Sequence, residues 1–294
     1  MRIVLAACLA FLVANIPVSP LQAQFGANPA AAAPSFEGWN VKYKVPTGWQ
    51  ISQQTGRVHT LQQPGNPQGG GIFVGAGMYQ NFDQVAVDLN KGFNALGLRG
   101  QPVAQPVPGT IRGMQSVAVD YVAQNQMGLQ LQARVVAVLG PQGSGLVVLG
   151  VASQQTMSQV GPMVDQVAQS FEAAGPPQPN QQIVAGLRGR WMYYAGKAEG
   201  STMASGGSSA THEEFVEFDG VGRFSYQSSS SVSVTTPGYT GSAGRAESNG
   251  DDGTYTVIGN TLVTRGRQGQ ASFDLQIQGD RILADGKTWV RANQ

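Results

Sequence analysis

The sequence predicts two folded units in tandem: an α+β unit, in which an antiparallel sheet carries two helices, followed by a small all-β up-and-down barrel. Three observations carry this reading. Apolar residues recur at helical spacing in two windows, around 82–96 and 160–171, with alternating, strand-like segments before and between them. From Leu187 onward only short alternating segments follow, separated by turns rich in Gly, Asp and Asn. The two patterns are divided by Ala173-Ala174-Gly175-Pro176-Pro177-Gln178-Pro179-Asn180, where three prolines in four positions bias the chain to an extended spacer. A length of 294 residues fits about two domains. The expected boundaries are 1–24 for a signal peptide, 25–35 for a flexible leader, 36–172 for the α+β unit, 173–182 for the linker and 183–294 for the barrel.

The first 24 residues read as a bacterial secretory signal. Arg2 is followed by the mostly apolar Ile3 to Val18, and Leu21-Gln22-Ala23-Gln24 supplies a small residue before a cut. Asn15 and Pro17 interrupt the apolar run, which makes it a poor membrane anchor, and no transmembrane segment is expected in the mature chain. Leu5-Ala6-Ala7-Cys8 matches a lipoprotein cleavage pattern, but only four residues precede it, so cleavage near Ala23 is preferred. The expected location is the periplasm or the cell exterior. Cys8 is the only cysteine, so a chain cut near Ala23 has no disulfide, no thiol nucleophile and no thiolate metal site.

Charged residues make up 12 %, about half the usual share, and the formal net charge is +1. With 40 glycines and abundant Gln and Ser, the surface is solvated by amides, hydroxyls and backbone. No charge pattern points to nucleic acid.

In the first unit, Val41 to Val45 alternates as a half-buried strand. Pro46-Thr47-Gly48-Trp49 turns the chain, a strand starts at Trp49, and Gln62 to Gly71 is a loop. Gly71 to Gly75 reads as a buried strand. Asn81 caps a helix whose Phe82, Val85, Leu89, Phe93 and Leu96 share a face, and Gly97 ends it. Gly100 to Gly109 reads as a Pro-rich connection. Gln115–Ala123, Leu129–Leu139 and Gly145–Ala152 form a three-strand meander. The closing helix carries Val160, Met163, Val164, Val167 and Phe171, with Ser158 as its cap and Pro162 in its first turn. Tyr43-Lys44-Val45-Pro46-Thr47-Gly48-Trp49, the strand Gly113 to Tyr121, and Gln169-Ser170-Phe171 together resemble the PsbP/DcrB-like family over about 36–171. That resemblance implies an exported accessory or binding module with no universal active site.

In the second unit the strand segments are Leu187–Tyr194, His212–Phe218, Arg223–Ser230, Ala243–Ser248, Gly253–Ile258, Thr261–Arg265, Ala271–Gln278 and Arg281–Arg291, the last with a break allowed at Asp285-Gly286. Turns are read at Asp219-Gly220, Asn249 to Gly253, Gly259-Asn260 and Gly279-Asp280. Gly189-x-Trp191 near the head and Arg291 near the end resemble the lipocalin-like (calycin) barrels. The resemblance implies that Trp191 plugs a closed end, that Arg291 packs across its ring, and that Gly189, Trp191 and Arg291 are structural. At about 110 residues the unit is short for that superfamily, which implies a small interior.

No catalytic constellation is expected, and no cofactor. His59 and His212 are the only histidines, and a hydrolase would have to run through one of them. On a strand, His212 and Glu214 point the same way, which gives only two ligands where zinc needs three or more. Asn249 to Gly253 lacks the oxygen spacing of a calcium loop. The expected function is an exported, non-enzymatic binding protein whose barrel holds a small apolar ligand or a partner. Phe215, Phe224, Tyr226, Tyr255 and Phe273 are the ligand-facing candidates. The alternative is a structural or interaction protein of the cell envelope with both interiors filled.

Overall fold

The computed structural model describes residues 33–36, 38–66, 69–199, 207–236, 239–243, 249–284 and 286–292. The expected signal peptide, most of the leader, and Cys8 lie outside these residues. So do 244–248 of the expected strand Ala243–Ser248, and Asp285.

The protein is mostly β, built on two large antiparallel sheets. The first contains β2 (Gln50–Thr55), β3 (Val58–Gln62), β4 (Gly71–Met78), β5 (Leu98–Pro102), β6 (Val107–Ile111), β7 (Met114–Asn125), β8 (Gln130–Leu139) and β9 (Ser144–Ala152). Its order is β2-β3-β4-β9-β8-β7-β5, with β6 also on β7. A short pair, β1 (Val41–Lys42) with β10 (Glu172–Ala173), ties the start of the unit to its end. Two helices cover opposite faces. Leu89 and Phe93 of α1 (Phe82–Ala95) pack on Val135 and Leu149. Val160, Val164 and Val167 of α2 (Gln154–Gln169) pack on Val136 and Val148, residues of the opposite parity.

Local chemistry sets the helix ends. The Asn81 side chain accepts from the Gln84 amide, and Gly97 follows the helix at φ 65°. For α2 the cap is Ser153, which accepts from the Thr156 amide, and not Ser158. Pro162 therefore sits mid-helix. Its missing N–H is tolerated because the turn around it is held by the buried Val160, Gly161 and Val164. β3 was hidden because His59 and Thr60 interrupt its apolar pattern. β5 and β6 were hidden by prolines, which are acceptable at a sheet margin.

The Pro-rich stretch is hydrogen-bonded along its length. The Gln178 amide donates to the Gly38 carbonyl, the Ala174 amide to the Asn40 carbonyl and the Asn180 amide to the Val257 carbonyl. Asn180 then caps a short helix, α3 (Gln181–Gly186), by accepting from the Ile183 amide.

The second sheet contains β11 (Gly189–Glu199), β12 (Gly207–Phe218), β13 (Arg223–Thr236), β14 (Tyr239–Ala243), β15 (Asn249–Ile258), β16 (Thr261–Gly266), β17 (Gly269–Asp274), β18 (Gln276–Gln278), β19 (Arg281–Ala284) and β20 (Lys287–Arg291). Nine of these run in the order β17-β16-β15-β13-β12-β11-β20-β19-β18, with β14 added to β13. The two ends of this row, β17 and β18, are consecutive in the chain and separated only by Leu275. The row therefore bends round into a nearly closed barrel. Residues 249–253, read from sequence as a turn, belong to β15 and pair with Phe224–Ser228 of β13. The acidic pair there is accommodated on a strand because the Arg267 amide donates to Asp251 and the Arg267 side chain pairs with Asp252.

The outside of the barrel touches the first sheet. Ile258 and Val263 are buried in the same apolar cluster as Trp39, Tyr43 and Phe171. Gln270 donates to the Met78 carbonyl, Lys91 lies over the Phe273 ring, and Arg57 is 3.9 Å from Asp274.

Candidate functional site

One end of the barrel is plugged. Trp191 is buried, and its indole N–H donates to the Leu187 carbonyl at 2.7 Å. The Arg291 guanidinium lies over the indole, 4.4 Å from its centre, and donates to the carbonyls of Arg188 and Gly186. Gly189 has φ 119°, and a Cβ there would come within 2.9 Å of the Arg291 guanidinium. A glycine is needed at that point both for the backbone conformation and for the close approach of the arginine. Phe218 and Tyr255 meet edge to face just inside, and the Tyr255 hydroxyl donates to the Val184 carbonyl of α3.

Above this end the barrel holds a partly open cavity of about 360 Å³. Its wall is apolar and aromatic, with Phe224, Leu262, Phe273, Leu275, Ile282 and Trp289 among its residues. Of the five ligand-facing candidates, Phe224, Tyr226 and Phe273 line the cavity. Tyr255 instead belongs to the plug. Phe215 falls on the other face of β12 from the cavity-lining Glu214 and Val216, with Arg190 stacked 4.4 Å from its ring centre. Its neighbour Val216 takes the inward position instead.

The cavity also holds charge, and Glu214 is the centre of it. Its side chain is 5 % exposed. Lys287 donates to Glu214 Oε1 at 2.5 Å, and His212 Nε2 lies 2.7 Å from the same oxygen. The ammonium of Lys287 also sits over the rings of Tyr193 and Trp289. Burial by itself would push the Glu214 carboxyl up; the hydrogen bonds from Lys287 and His212 outweigh it and hold the group below the usual carboxylate range. Burial pushes the Tyr226 hydroxyl up, and that hydroxyl interacts with Ser228 and Glu214. Asp251, opposite Tyr226 in the β13–β15 register, also faces the cavity, and its Oδ1 accepts from the amides of Asp252 and Arg267.

The Glu214–Lys287 pair was not read from the sequence as a site. The signal was present, since alternation puts Lys287, Trp289 and Arg291 on one face of a strand, but a lysine inside an apolar barrel is the less common outcome. Among the described residues no group of three His, Cys, Asp or Glu side chains is placed to hold a metal ion. His59 serves the core of the first sheet: it is buried, 2.8 Å from the Tyr43 hydroxyl through Nδ1, and stacked on Phe36 with ring centres 4.0 Å apart. No helix among the described residues is long and apolar enough to cross a membrane.

Fold and site together define a nearly closed β-barrel with a largely apolar cavity whose wall carries an ion pair built on a buried carboxylate. No family profile matches the chain, and no curated protein does. Among solved structures, the chain is similar to cyanobacterial PsbP (CyanoP) from Synechocystis sp. PCC 6803, at 13 % identity and TM-score 0.37, over 52 % of this chain and 99 % of that one. It is similar to LpqN, described as involved in cell envelope biogenesis of Mycobacterium tuberculosis, at 13 % identity and TM-score 0.32, over 47 % of this chain and 83 % of that one. A protein from Bacteroides thetaiotaomicron VPI-5482 matches at 10 % identity and TM-score 0.34, and the chain spans 47 % of its length.

Proposed function

We propose that this is an exported, non-enzymatic binding protein whose barrel holds a small, largely apolar ligand. The cavity carries the reading. Its volume of about 360 Å³ falls within the range of small-molecule sites, roughly 300–1,000 Å³, and such sites combine an apolar wall with a few placed polar groups, as here. The signal-like start of the chain supports export. The contact of Arg291 with Trp191 supports a lipocalin-like barrel, and the strand–helix order of the first unit supports a PsbP/DcrB-like module joined to it by the Pro-rich stretch.

Native mass spectrometry of the full chain, prepared from an exported source, tests this. A reproducible extra mass is expected, lost in an Ala284→Phe variant whose added ring fills the cavity without lowering the melting temperature. A bare mass that stays bare against a panel of apolar small molecules would overturn the reading. It would favour the alternative, a structural or interaction protein of the cell envelope.

A further inference from the structure

The ion pair on the cavity wall narrows the class of ligand. Lys287 and Glu214 both face the cavity and neutralise each other across 2.5 Å. Lys287 and His212 converge on Glu214 Oε1, and the Tyr226 hydroxyl lies against the same carboxylate. The lysine has one acceptor in that carboxylate, while two aromatic rings flank it, so its ammonium retains donors for a ligand oxygen. The cavity thus offers a donor and an acceptor side by side at one end of an apolar wall.

A head group that brings its own charge fits this poorly. A carboxylate can only accept. It would gain Lys287 but meet Glu214, and Asp251 beyond Tyr226. An ammonium can only donate, and it would meet Lys287 beside the carboxylate it seeks. Against a largely apolar wall and the buried Glu214, either leaves one charge without a full partner, which is costly. A hydroxyl both accepts and donates, so it bonds to the ammonium and the carboxylate together and adds no net charge.

We infer that the barrel selects an uncharged, hydroxyl-bearing apolar molecule, a lipid-like or aromatic alcohol, with its hydroxyl between Lys287 and Glu214 and its body against Phe224, Phe273 and Trp289. This rests on the cavity reading above.

The test compares lauryl alcohol, lauric acid and laurylamine, which share one chain and differ only in the head, by calorimetric titration into the full-length protein at neutral pH. The alcohol is expected to bind at least tenfold more tightly than either charged probe. The Glu214→Gln variant, which keeps the side chain's size and leaves Lys287 unbalanced, is expected to shift the preference at least tenfold toward the acid. Binding of all three probes with equal affinity, or tightest binding of the acid or the amine to the unaltered protein, overturns this inference and leaves the cavity reading intact. Binding of none of them overturns both.

Discussion

Trp191 and Arg291 face each other in register across β11 and β20, with the guanidinium 4.4 Å from the indole centre and two of its N–H groups spent on the carbonyls of Arg188 and Gly186. One side chain thereby ties the last strand of the barrel to its first strand and to the end of α3. Arg291→Ala is expected to cost about 2 kcal/mol, the stacking contributing about 1 kcal/mol and the charge-assisted hydrogen bonds the remainder. Arg291→Lys keeps the charge but loses the two-pronged donation, so it is expected to recover less than half of the loss in urea unfolding.

Gly189 tests the same arrangement from the other side. Its positive φ and the 2.9 Å approach of the guanidinium predict a loss of roughly 1–3 kcal/mol for Gly189→Ala. Part of that loss is a clash with Arg291. The double variant with Arg291→Ala is therefore expected to lose less than the sum of the two single changes, as a double-mutant cycle would measure.

Removing Lys287 takes the cation away from a buried carboxylate. Lys287→Ala is expected to destabilise by about 1–2 kcal/mol, because Glu214 is buried and loses a charge-assisted hydrogen bond, while water reaching the one-third-exposed Lys287 position screens part of the loss. Glu214→Leu combined with Lys287→Met removes both charges and is expected to recover most of the stability. The pH dependence follows from the depressed carboxyl of Glu214. Its contribution is present above the unfolded value of 4.5 and is lost as pH falls through the lower folded value. Unfolding midpoints between pH 6 and pH 3 should fall less steeply in the double variant than in the unaltered protein.

His59 gives a second, distinct window. Burial lowers its pKa from 6.5, so the unfolded chain takes up a proton that the folded chain resists. Stability is complete above pH 6.5 and is lost as pH falls from there toward the folded value. A His59→Phe variant should lack this slope between pH 7 and pH 5, even if its stability at pH 7 is reduced by loss of the Tyr43 hydrogen bond.

Ile258 and Val263 belong to barrel strands yet are buried with Trp39 and Phe171 of the first unit. Ile258→Ala is expected to cost about 2–4 kcal/mol. It should move the unfolding of both sheets together, read by near-ultraviolet dichroism and by amide exchange. Independent transitions for the two sheets would contradict this.

Much of the architecture was legible because periodicity reports which face is buried. Phe82, Val85, Leu89 and Phe93 announced α1, and Gln115–Ala152 announced a meander that the register of β7, β8 and β9 shows. What stayed illegible depends on distant partners. Asn249 to Gly253 has turn composition, but Phe224–Ser228 and Arg267 hold it as strand. Ser158 and Ser153 are both good capping residues, and only the packing of Val160 and Val164 on the sheet decides between them. Strand alternation found Phe224, Tyr226 and Phe273 but could not fix the phase at Phe215. Glu214 and Lys287 are 73 residues apart, and nothing local in either segment names the other.

The bend at Leu275 gives one continuous stretch two neighbours, β16 before it and β19 after it. The barrel therefore has a lengthwise slit along β17. Residues of the first unit stand against it: Met78 takes the Gln270 amide, Lys91 caps the Phe273 ring and Arg57 approaches Asp274. The first unit thus covers part of this seam. A barrel cut free at the Pro-rich stretch would bare that edge of β17 to water.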